Sequence, residues 1–97
     1  MWTIRFRAEL EADLRDGQDW YDSKVSGLGA EFLQEFWAAV DRISERPLSF
    51  AVAPNGLRPC RLRRFSYVVH YRVFDHEILI IAVMSAARDE SAFLDRG

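Results

Sequence analysis

Five arginines, Arg58, Arg61, Arg63, Arg64 and Arg72, fall within residues 58–74, and no acidic residue interrupts them. A guanidinium is a planar fork that grips phosphate or carboxylate through two parallel hydrogen bonds and stacks on flat rings. The chemistry implied is recognition of an acidic ligand. The flanks carry the opposite sign: residues 1–57 hold six basic and ten acidic residues, and residues 75–97 hold two and five, so the net charge of −2 hides a local basic block. The alternative use of these arginines is internal, as partners for acids of the neighbouring elements. Whole-chain acidity argues against direct, non-specific binding of duplex DNA by this chain alone, which needs a broadly basic surface.

Other chemistries find less support. Two histidines and one cysteine are too few and too scattered for a closed zinc site of four Cys or His ligands. Cys60, the single cysteine, excludes an internal disulfide and reads as a small core residue. Ser66, His70 and Asp75 lie within one hairpin with no nucleophile elbow around the serine, so they do not read as a hydrolase triad. Gly27-Leu28-Gly29 lacks the third glycine and the preceding strand of a dinucleotide fingerprint and reads as a turn. No cofactor is expected.

The elements that must position the arginines follow from periodicity. Trp2, Ile4 and Phe6 alternate with Thr3, Arg5 and Arg7, a strand with one buried face. From Ala8 the spacing becomes helical, with Leu10, Leu14, Gly17 and Tyr21 on one stripe that Trp20 widens. Ser26 to Gly29 marks a tight turn, and a second helix follows with Phe32, Phe36, Ala39 and Ile43 beside Leu33, Trp37 and Val40. Pro47 ends it near Arg46, because proline cannot donate the helical hydrogen bond. Residues 47–57 read as a loop. Three strands are predicted after it: Arg58 to Arg64, Tyr67 to Phe74 and Glu77 to Met84, with a short turn at Asp75-His76 and a tail over 87–97. The expected fold class is α+β, a two-layer β-α-α-β-β-β arrangement with a helix hairpin on a mostly antiparallel four-stranded sheet, the first strand beside the last. The sheet face away from the helices is expected to carry Arg61, Arg63, His70 and Arg72.

One domain over residues 1–97 suffices, since an apolar fraction of 49% and a charged fraction of 29% are ordinary globular values. The longest apolar run, Ile78 to Met84, is seven residues, against about 20 for a membrane span. The acidic residues near the N-terminus do not suit a secretory signal, so a cytoplasmic location without membrane contact is expected. Trp20, Trp37 and Phe50 exceed what so small a domain readily buries, which predicts an exposed aromatic patch awaiting a partner.

Nearly the whole chain resembles the ParE/RelE superfamily of toxins from two-component toxin–antitoxin systems. The resemblance is carried by the helix ELEADLRDGQDWYD, the turn and helix GLGAEFLQEFWAAVDRISERP, the run LRPCRLRRFSYVVHYRV and the strand ILIIAVMSAARDE, in that order. It implies neutralisation by a cognate antitoxin, ParD-like or other, whose C-terminal segment folds onto the toxin, with Trp20, Trp37, Phe50 and Tyr67 as contact candidates. The ParE-like branch acts on DNA gyrase and the RelE-like branch cuts mRNA on the ribosome. RelE-like enzymes draw their parts from lysines and arginines of the sheet and a tyrosine near the C-terminus; here Arg61, Arg63 and Arg88 would clamp the phosphate, and His70 would have to replace the missing base and Tyr67 or Tyr71 the missing acid. Against that branch, the only lysine is Lys24 and the tail after Arg88 has no tyrosine. The resemblance therefore favours the gyrase-directed, non-enzymatic branch, with Arg58, Arg61, Arg63, Arg64, Arg72 and Arg88 as contacts for an acidic partner. The sequence Met84-Ser85-Ala86-Ala87 departs from the His and Arg common in ParE-like chains just after the last strand. An inactive member acting only in complex formation is the third alternative.

Overall fold

The computed structural model describes residues 2–96. Its elements are β1 (Thr3–Phe6), α1 (Leu10–Lys24), α2 (Leu28–Glu45), β2 (Arg58–Arg61), β3 (Tyr67–Phe74) and β4 (Glu77–Ser85). Two short 3-10 turns follow, Glu90–Ala92 and Leu94–Arg96. The sheet order is β1-β4-β3-β2, with β1 parallel to β4 and the other neighbours antiparallel. The first strand thus lies beside the last, as the pattern predicts, and β4 is interior. Some boundaries move: α1 begins at Leu10 rather than Ala8, α2 begins at Leu28 inside the predicted turn, β2 ends at Arg61 rather than Arg64, and β4 runs one residue further, to Ser85.

The hairpin of helices closes tightly because Asp22 Oδ1 accepts the Gly29 amide at 2.7 Å, satisfying one of the open donors at the start of α2. A Cβ on Gly29 would stand 2.6 Å from the Gln18 carbonyl oxygen, so only glycine lets the two helices approach there. The apolar stripes of both helices pack on the inner sheet face, burying Phe32, Phe36 and Ile43 against Val69, Tyr71, Ile78, Ile80 and Val83. Asp75 and His76 both take positive φ, 49° and 63°, the geometry of a two-residue hairpin whose twist matches its strands.

A register shift between β3 and β4 pairs His70 with Ala82 and Tyr71 with Ile80, leaving Ile81 without a partner. This bulge turns Ile81, Ala82 and Met84 to the outer face, where they form a second apolar cluster with Leu57 and Phe93. The predicted tail is therefore a strap that crosses the sheet, with Phe93 only 1% exposed. Beyond the end of short β1, the strap and α1 close the β4 edge with side chains. Asp13 accepts the Val83 amide at 3.2 Å and Arg96 at 2.6 and 3.1 Å, and Arg96 donates to the Ile81 carbonyl at 3.4 Å. A carboxylate and a guanidinium thus replace a missing strand, meeting the demand that buried main-chain groups find partners.

Candidate functional site

Side chains on alternate strand positions point to opposite faces, so register decides which arginines share a surface. Pro59 pairs with His70 and Arg61 with Val68, while Cys60 pairs with Val69 on the helix side. Arg61 and His70 therefore stand together on the outer face, and Arg88 joins them from the turn after β4. With Ser85, Glu90 and Phe93 they line a cleft of about 390 Å³. Arg72 lies further along the same face of β3, exposed. Among the described residues, Arg61, Arg72 and Arg88 form no ion pair with the chain's own carboxylates.

The other arginines of the block are deployed elsewhere. Arg58 donates to the carbonyls of Leu48 (3.3 Å) and Phe50, clamping the loop between α2 and β2. Arg64 donates to Glu31 at 2.7 Å and lies over the Phe65 ring at 5.3 Å, tying the β2–β3 turn to α2. Arg63 lies past the end of β2 and, with Arg42, partly offsets the rise in the Cys60 thiol pKa caused by burial. Arg63 lies outside β2, so strand alternation does not fix the face it takes.

His70 is half-buried, its ring stacked on Phe93 at a centroid distance of 4.3 Å. Burial pushes its pKa below the usual imidazole value, and the nearby Glu90 charge pulls partly the other way. Tyr67 and Tyr71 point to the helix side. Tyr67 packs on Tyr21 and Phe32, and burial raises its phenol pKa. Tyr71 is fully buried, donates to the Pro47 carbonyl at 2.6 Å, and has its pKa pushed up to about 12, chiefly by burial. The imidazole and both phenols thus project from opposite sides of one strand.

The aromatic candidates divide among three places. Trp20, 52% exposed, lines a groove of about 610 Å³ with Tyr21, Leu28, Phe65 and Tyr67 at one end of the helix hairpin. Trp37, 46% exposed, meets Phe6 edge-on at 5.8 Å over a smaller groove between β1 and the helices. Phe50 packs on Tyr71 at 6.0 Å and belongs to the margin of the core. Alternation in β1 predicts Phe6 on the buried face, but it is exposed beside Trp37. Glu90 and Phe93 lie in a tail with no periodicity to mark them as part of a site.

The description ParE toxin of type II toxin-antitoxin system, parDE, belongs to a family model that matches residues 4–90. The chain belongs to the ParE toxin family. In fold this ParE-family chain is similar to a chain of the chromosomal ParDE TA system from P. aeruginosa, with a TM-score of 0.76 at 20% identity, over 88% of this chain and 96% of that one. No curated protein matches it in sequence. Among the described residues, no helix is long and apolar enough to cross a membrane, and no group of three or more His, Cys, Asp or Glu side chains is placed to hold a metal ion.

Proposed function

We propose that this chain is the toxin of a type II toxin–antitoxin pair that arrests growth by binding DNA gyrase without catalysing a reaction, and that a cognate ParD-like antitoxin neutralises it in the cytoplasm. Family membership supports the toxin role. The observation that carries the choice of a non-enzymatic mode is the opposition of His70 to Tyr67 and Tyr71 across β3. Cleavage of RNA needs a base at the 2′-hydroxyl and an acid at the leaving oxygen within hydrogen-bond reach of one phosphate. Side chains on opposite sheet faces do not meet that requirement. What remains on the outer face is a cationic set, Arg61, Arg72 and Arg88, with no ion pair among the described residues, suited to an acidic protein surface. Arg58 and Arg64 are engaged by the chain itself.

The antitoxin is assigned to the helix side, where Trp20 and Tyr67 line one groove and Trp37 with Phe6 lines the other. Both present large aromatics of the kind that anchor protein interfaces. The test is a supercoiling assay with purified gyrase and micromolar toxin, read beside ribosome-dependent mRNA cleavage. Inhibition abolished by the charge reversals Arg61→Glu and Arg88→Glu is the expected result. Cleavage of mRNA, or growth arrest with normal supercoiling, would overturn the proposal in favour of a nuclease or another target. No growth arrest at all on expression without a partner would indicate an inactive member.

A further inference from the structure

The strap over residues 89–96 is attached in an unusual way for a segment that covers a core. Its main-chain hydrogen bonds run within itself, Ala92 to Asp89, Phe93 to Glu90 and Arg96 to Phe93. Among the described residues it reaches the body through side chains: Asn55 on Glu90, Arg96 on Asp13 and Ile81, and Phe93 in the outer cluster. No ladder must break for it to lift, and segments with few such bonds open at low local free energy. Beneath it lie Ile81, Ala82 and Met84, and beside it stand Arg61, His70 and Arg88. An apolar centre inside a cationic rim is the anatomy of a protein-binding patch. The strap itself supplies the complement: Glu90 in the cleft with Arg61 and Arg88, beside one buried aromatic, Phe93, with Asp89 and Asp95 adding to its negative charge in sequence.

We propose that the strap is the resident occupant of a peptide site on the outer sheet face, and that a partner segment bearing acidic residues around one aromatic binds there in its place. The strap's composition argues for this occupant, because it shows which chemistry the face accepts: an aromatic on His70 and a carboxylate near the arginines. The inference rests on the outer face being the target surface, yet its test contains no gyrase, so either reading can fail without the other. A tethered occupant acts at an effective concentration on the order of millimolar, so it masks the site from a weaker ligand added in trans.

The probe is a fluorescein-labelled peptide of sequence Asp-Glu-Ser-Ala-Phe-Leu-Asp, titrated by anisotropy against the full chain and its variants. Phe93→Ala vacates the pocket and is expected to bind the probe at least tenfold more tightly than the unaltered chain. Adding Arg61→Glu to that variant should reverse most of the gain, and a probe with alanine for phenylalanine should not bind. Binding should also restore the ring-current shift of the His70 imidazole resonances that Phe93→Ala removes. If Phe93→Ala does not fold, Arg96→Gln keeps the aromatic contact while releasing the clasp, and a threefold or greater tightening is expected. Equal affinity for the unaltered chain and the folded variant, or binding to neither, would overturn the proposal. So would an opened variant that takes a ten-nucleotide oligothymidine in preference to the peptide.

Discussion

Removing the Asp13 carboxylate tests the strap's clasp directly. Its side chain is 6% exposed and that of Arg96 14%, and the two meet through a pair of hydrogen bonds. Asp13→Ala strands the guanidinium and leaves the Val83 amide without its acceptor. Breaking a buried ion pair on one side costs about 3–5 kcal/mol when the remaining charge cannot move. Here it can move, because the strap lifts at the loss of Phe93 burial, worth about 1.5–3 kcal/mol, and so returns Arg96 to water. Relief by that route caps the loss, and we expect Asp13→Ala to destabilise the fold by about 2–3 kcal/mol, a fall in Tm of roughly 10–20 °C for a domain of this size. Urea unfolding of Asp13→Ala, Arg96→Ala and the double variant gives the coupling, expected at about 2 kcal/mol with m unchanged. Hydrogen exchange should quicken at Val83 and along the strap before the helices respond. A coupling below about 0.5 kcal/mol, the level of an exposed pair, would refute the reasoning.

Further outcomes follow at three single positions. Gly17→Ala would set its Cβ 2.6 Å from the buried Phe32 ring, so despite a helix-propensity gain of about 1 kcal/mol, equilibrium unfolding should show a net loss of about 1–2 kcal/mol. Tyr71 should titrate at about 12 in a spectrophotometric titration, and because its folded pKa is raised, its contribution is intact below the unfolded value near 10 and is lost as pH climbs from there towards 12. Tyr71→Phe should remove that step and cost about 1–2 kcal/mol through the unpaired Pro47 carbonyl. His70 has a depressed pKa in the fold, so the unfolded chain binds more protons below its value of about 6.5; stability should fall as pH drops from there towards the folded value, and His70→Gln should flatten that slope in chemical unfolding curves.

The order of elements was legible in the sequence, because each hydrophobic period is a local property: period two at Trp2, Ile4 and Phe6, helical spacing from Leu10, and breaks at Gly27 and Pro47. The sequence also determined that an arginine block precedes and enters the third strand, since composition needs no coordinates. Which of those arginines meet could be decided only in three dimensions. Arg61 and His70 share a face through strand register, while Arg58 and Arg64 turn to partners 10 and 33 residues distant. The bulge at Ile81 sends consecutive apolar residues outward where strict alternation would have split them, and so calls for the strap that hides them. Asp13 and Arg96 lie 83 positions apart. Nothing in either one's neighbourhood marks them as a pair, because their bond depends on where a helix and a tail converge beyond the end of a short strand.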